Sequence, residues 1–149
     1  MAGPRPHRRR LRRPDARDRG AVRHLNLLID THIALWWLND PTGLSDEALE
    51  AMEDGRNTLL LSAASVWEAT IKAAAGKLDL PESLAYAAEA AGMEELPICF
   101  EHAIRAAELP PLHRDPFDRM LVGQAQEDGL VIVTRDPLVR QYAVASLPA

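Results

Sequence analysis

The chain has 149 residues, 47% hydrophobic and 26% charged, with one cysteine, the size and balance of one compact domain rather than a solenoid or a multidomain assembly. Cys99 alone can form no intramolecular disulfide and no thiolate zinc site, so a packed core has to supply the stability, in keeping with a reducing cytoplasm. The best apolar run, LNLLIDTHIALWWL, is broken by Asp30 and His32 and falls short of the roughly 18 residues that a membrane span needs; a soluble protein is expected.

The net charge of −5 is a sum of opposites: residues 1–24 carry nine arginines against Asp15 and Asp18, a surplus of seven, whereas residues 25–149 hold eight basic and twenty acidic residues, a balance of −12. The first 24 residues are proline-interrupted and poor in apolar side chains, so they cannot offset the entropy of ordering and are expected to be disordered. Such an arm binds phosphates electrostatically, or it lies upstream of a true translation start near Val22 or Leu25. No apolar core or small-residue cleavage site follows it to make an export signal. The folded unit is expected over 25–149.

From Leu25 short apolar runs alternate with longer helical patterns. Leu25–Ile29 reads as a buried strand, Thr31–Leu38 as a helix, and Leu44–Asp54 as a second helix stopped by Gly55. Thr58–Leu61 is the next strand. Ser62 caps a helix to about Ala75, with Trp67, Ile71, Ala74 and Leu78 recurring at helical spacing as its expected buried face. Pro81 opens a helix to about Ala91, Glu94–Pro97 is a short strand, and Phe100–Leu109 is a helix ended by Pro110-Pro111. Asp115-Pro116 starts a helix to about Asp128, Leu130–Val133 is a β-branched strand, Asp136-Pro137 starts a last helix, and a final strand includes Val144. Almost wholly apolar strands separated by helices predict an α/β fold: a mostly parallel sheet covered on both faces. In such sheets, function gathers beyond the carboxyl ends of the strands.

Four acids fall there. Asp30 directly follows the first strand, Glu68 lies in the helix after the second, Asp118 sits in the first turn of the helix leading to VIVT, and Asp136 comes two residues after that strand. Carboxylates of this kind are hard oxygen ligands suited to Mg²⁺ or Mn²⁺. Each also has a purely structural explanation. Asp30, Asp115 and Asp136 stand at helix starts as caps, Asp118 sits three residues after Asp115 as a capping-box partner would, and Glu68 completes Ser65-x-x-Glu68 or pairs with Lys72 at i,i+4. Caps explain an acid at each helix start, but not three successive strand ends aiming acids at one rim.

The strings LLIDTHIALWWL, LSAASVWEATIKAAAGKL, LPPLHRDPFDRMLVGQAQEDGL and VIVTRDP stand in the order and near the spacing of PIN-domain proteins. Over about residues 25–149 the sequence resembles the VapC-type toxin ribonucleases of type II toxin–antitoxin pairs, in the branch with DTH, SxxSxWE and HRDPFDR. The arm at 1–24 departs from that pattern.

The resemblance implies a three-layer α/β/α sandwich with about five mostly parallel strands. It further implies an acidic cluster of Asp30, Glu68, Asp118 and Asp136 holding Mg²⁺ or Mn²⁺ for endonucleolytic cleavage of RNA, with Asp30, Glu68 and Asp118 as ligands and Asp136 as a second-metal or water-orienting residue. Thr134 would orient a carboxylate or a water through its hydroxyl, and Arg119 and Arg135 are candidate phosphate contacts, with Arg114 behind them. A homodimer and a small VapB-like antitoxin are the expected partners besides RNA.

His32 and His113 are candidates for contacting substrate or supporting a ligand, outside the catalytic set. Cys99 and His102 are assigned to packing and surface. Trp36, Trp37 and Trp67 could stack on bases, but Trp36 and Trp67 fall on apolar faces and are expected in the core or a dimer interface. Two other classes compete. A non-catalytic PIN-like binding module would be marked by loss of an acid, and all four are present; a receiver or phosphatase would need a late lysine or a DxD where Asp30-Thr31-His32 stands.

Overall fold

A computed structural model of the protein describes residues 24–80 and 82–149. The expected disordered arm, apart from His24, and Pro81, the expected start of the fourth helix, lie outside the described residues. Five strands, β1 (Asn26–Ile29), β2 (Thr58–Ser62), β3 (Glu94–Leu96), β4 (Val131–Thr134) and β5 (Ser146–Pro148), form one sheet. Every pairing is parallel and the order is β3-β2-β1-β4-β5. The helices are α1 (Thr31–Asn39), α2 (Asp46–Glu53), α3 (Ala63–Ala74), α4 (Leu84–Ala90), α5 (Phe100–Glu108) and α6 (Pro116–Asp128).

Alternation along the strands divides the core in two. Leu27, Ile29, Leu59, Leu61 and Val133 pack with Ile33 and Ala34 of α1, Ala48 and Met52 of α2, Ala69 of α3 and Leu84 and Ala88 of α4. On the other face Leu28, Leu60, Leu96 and Ile132 pack with Leu109, which follows α5, and with Leu121, Val122 and Ala125 of α6. The chain is thus a three-layer α/β/α sandwich, and its central strands are apolar because both of their faces are buried. Among the described residues no helix is long and apolar enough to cross a membrane.

Local chemistry accounts for most boundaries. Ser45 and Ser62 cap α2 and α3 by accepting from the amides of Ala48 and Ala64. Asp115 caps α6 ahead of Pro116, and Gly129 ends it in the left-handed region at φ 67°.

Three expectations are corrected. Asp136-Pro137 opens no helix: a single 3₁₀ turn at Val139–Gln141 follows, and the last strand is Ser146–Pro148 without Val144. The reason is Tyr142, which is buried with its hydroxyl on the Pro110 carbonyl and draws the connection into an irregular path. The α3 face is also reversed. Trp67 and Ile71 are 62% and 45% exposed and Ala74 is exposed too, while Leu78, beyond the end of the helix, does pack against the core. The buried face is Ala64, Ser65, Glu68 and Ala69, small and polar because α3 approaches α1 closely enough for Thr31 Oγ1 to donate to Ser65 Oγ at 2.8 Å. Trp36, 39% exposed, is likewise no core residue.

Helices α5 and α6 meet more tightly still. A Cβ added to Gly123 would lie 2.9 Å from the Ala106 backbone nitrogen, a contact no rotamer change relieves. Gly123→Val is therefore expected to destabilise the fold by about 1–3 kcal/mol through overpacking, readable as a lowered urea midpoint; an unchanged midpoint would show that α5 can move aside.

Candidate metal centre

The sheet order reverses between β1 and β4, the position where parallel sheets open a crevice. Ile29 and Val133 are register partners, so the next residues, Asp30 and Thr134, stand side by side at the strand ends. Thr134 Oγ1 donates to Asp30 Oδ2 at 2.7 Å and accepts the Asp136 amide at 3.1 Å. One hydroxyl therefore positions two of the sequence-selected acids. Asp30 occupies the N-cap position of α1 without the usual side-chain capping bond, and its carboxylate faces the crevice.

A cleft of about 290 Å³ lies above this point, lined by Asp30, Glu68, Asp118 and Asp136 together with Asp115. The four acids selected from sequence thus converge. Glu68 is 3% exposed, and Lys72 one turn on donates to its Oε2 at 3.0 Å. Ser65 forms no capping box with it, since the cap of α3 is Ser62. Asp115 does cap α6, accepting from the amides of Phe117 and Asp118. Asp118 and Asp136 meet at His113, whose Nε2 lies 2.9 Å from Oδ2 of each.

Convergent carboxylates repel one another, by about 4 kcal/mol for two unit charges 4 Å apart at an effective dielectric of 20, and proton affinities rise in response. Burial, followed by the charges of Asp30 and Asp115, pushes the Asp118 carboxyl up to about 7. Burial likewise raises Asp30 against the opposing Thr134 hydrogen bond. For His113, burial disfavours the imidazolium, but the hydrogen bond to Asp136 and the charges of Asp118, Asp136 and Asp115 outweigh it and raise the ring above its ordinary value. Convergent, largely buried hard oxygen donors outnumbering the positive charges are what a divalent cation requires, so the donor set fits one.

The basic candidates separate. Arg135 lines the cleft, its guanidinium 4.4 Å above the Trp36 ring. It donates to the carbonyls of Ala149 and Gly43. Arg119 does not line the cleft. It donates to the carbonyls of Ala106, Leu109, Pro110 and His113 and to the Tyr142 hydroxyl, so it fastens the end of α5 and the following loop instead of meeting phosphate. Arg114 is exposed outside the cleft lining, whereas His32 is part of it. His102 is buried against Asp128 at 2.8 Å and Cys99 precedes α5, in keeping with a packing role. The Glu68–Lys72 pair read from the i,i+4 spacing is present. Sequence reasoning missed the double contact of His113, which only the fold reveals.

The PIN domain profile matches residues 27–145, and the chain belongs to that family. No curated protein sequence matches it significantly. Solved structures share the fold at low identity. VapBC2 from Rickettsia felis, bound to a DNA fragment from their promoter, aligns over 83% of this chain and 98% of its own at 14% identity with a TM-score of 0.64. DNA-bound VapBC from Salmonella typhimurium aligns over 83% and 98% at 18% identity with a TM-score of 0.62. FitAcB from Neisseria gonorrhoeae aligns over 81% and 96% at 18% identity with a TM-score of 0.52.

The raised Asp118 value fixes a pH dependence. Between 3.8 and about 7 the metal-free folded state keeps a proton that the unfolded chain has released, so this group's contribution to stability is full at low pH and is lost as pH rises through that window. Asp118→Asn is therefore expected to raise the melting temperature in EDTA at pH 8, by about 2–4 °C for each kcal/mol recovered in a domain of this size, and to change it little at pH 4. Melts at both pH values check it; an equal shift at each would show that charge repulsion is not the cause.

Proposed function

We propose that this protein is a Mg²⁺- or Mn²⁺-dependent endoribonuclease acting as the toxin of a type II toxin–antitoxin pair. The observation that carries the proposal is the convergence of Asp30, Glu68, Asp118 and Asp136 in one cleft at the strand-order reversal of a PIN fold. The VapBC and FitAcB likenesses agree with the toxin role and with a small VapB-like antitoxin as partner. A homodimer and a cytoplasmic location belong to the same reading.

Cutting an RNA phosphodiester brings a nucleophile to an anion and expels an alkoxide, and a bare carboxylate cluster would repel that substrate. When bound, a divalent ion stabilises the phosphoryl charge and lowers the pKa of water. Asp30, Glu68 and Asp118 would hold it, directly or through water. Thr134 holds the Asp30 carboxylate in one orientation, and Asp136 lies at the edge of the site. A carboxylate of the cleft accepts the proton of the attacking water. Of the cleft's two positive side chains, Arg135 is the phosphate contact and Lys72 stays paired with Glu68. Arg119 acts one step removed, by holding the loop that carries His113 and Asp115.

Expression of the wild-type chain is expected to arrest growth, and the purified protein to cut total RNA only with Mg²⁺ or Mn²⁺. Asp30→Ala, verified as folded by circular dichroism, is expected to abolish arrest and to lower cleavage at least 100-fold, the order of a lost electrostatic stabiliser. Equal behaviour of wild type and variant, or cleavage undiminished in EDTA, would return the four acids to structural roles and favour a non-catalytic RNA- or protein-binding module.

A further inference from the structure

By spacing alone His113, Asp118 and Asp136 would pass for a metal site of their own, since one ligand atom from each lies within 4.8 Å of the others. The hydrogen-bond sense of the ring argues otherwise. His113 Nδ1 receives the backbone N–H of Asp115 at 3.1 Å, and a peptide N–H can only donate, so Nδ1 is the acceptor nitrogen and Nε2 carries the hydrogen. Histidines that bind metal through one nitrogen donate from the other to a carboxylate or carbonyl; here the other nitrogen meets a donor. The Nε2–H is instead donated to Asp136 Oδ2 at 2.9 Å, with Asp118 Oδ2 also 2.9 Å from the nitrogen as a charge contact.

Asp136 has a second commitment, as its Oδ1 accepts the Leu138 amide at 2.8 Å. With Oδ2 on His113, both of its oxygens are engaged. The imidazole is also firmly held. The His113 amide donates to the Tyr142 hydroxyl at 2.8 Å, its carbonyl accepts from Arg119, and its side chain is 13% exposed.

We propose that the His113 Nε2–H stands between Asp118 and Asp136 in the place of a second cation, so that the cleft takes one divalent ion, at Asp30, Glu68 and Asp118. This rests on the metal-dependent reading above and settles its stoichiometry. Asp136 then shapes the site through His113 and Thr134 rather than as a ligand, and His113 is a positioning residue.

The test is Mn²⁺ binding to the full chain, counted by calorimetry and by the electron paramagnetic resonance of free Mn²⁺, for wild type, His113→Ala and His113→Asn. The expected result is one ion per wild-type chain and a second, weaker ion in His113→Ala, where Asp136 loses its donor and Asp118 the neighbouring ring. Two ions in wild type, a count that falls in His113→Ala, or one ion in both would overturn the proposal. Should the variants fail to fold, nitrogen-15 spectra of the wild-type histidines in saturating Mg²⁺ decide: the Nε2–H form of His113 is expected to persist, and loss of that proton to a coordinated nitrogen would overturn the proposal. No Mn²⁺ bound to wild type would overturn the metal-dependent reading itself, and the inference with it, a result distinct from a count of two.

Discussion

The hydrogen bond from Thr134 to Asp30 at 2.7 Å crosses the place where the strand order of the sheet reverses, and the rest of the site depends on it. Parallel strands aligned in register bring residues 104 positions apart to adjacent strand ends, which no local segment could do. Because the same hydroxyl receives the Asp136 amide, the position of the last acid is tied to the first. The two cores below, one for each sheet face, hold β1 and β4 against slippage, since a shift of one residue would exchange Leu27 and Leu28 between faces.

A second frame supports the opposite wall. Tyr142 donates to the Pro110 carbonyl and accepts the His113 amide, while Arg119 gathers the carbonyls around it. The segment between α5 and α6 has no regular structure to hold it, so a buried hydroxyl and a guanidinium perform the work a strand would do elsewhere. His113 and Asp115 reach the cleft through this loop, and its rigidity is what lets one imidazole touch two carboxylates.

Much of this was legible in the sequence, for identifiable reasons. The strands could be read because central parallel strands are apolar throughout, and the acids Asp30, Glu68, Asp118 and Asp136 because they follow or flank those strands in a pattern capping does not explain. What failed was any inference that needed to know which side of a helix faces inward. Trp67 and Ile71 have the spacing of a core stripe, yet α3 buries Ala64, Ser65, Glu68 and Ala69, because side-chain size at the α1 contact outweighs hydropathy. Arg119 sits beside Asp118 in sequence and invites a phosphate role, but its guanidinium is turned toward carbonyls brought near by α5. The turn at Asp136-Pro137 has a helix-start signature that Tyr142, a residue of the next turn, overrides.

The outward tryptophans have a practical meaning. Trp67 precedes Glu68 and rests edge-on against Phe117, which precedes Asp118, with ring centroids 5.2 Å apart. Trp36 lines the cleft beneath the Arg135 guanidinium. One of the three indoles in the chain, Trp36, therefore lines the acidic cleft, and Trp67 stands outside it on the exposed face of α3. Trp36 is thus an intrinsic optical probe set in the wall of the cleft, where a label would otherwise have to be added.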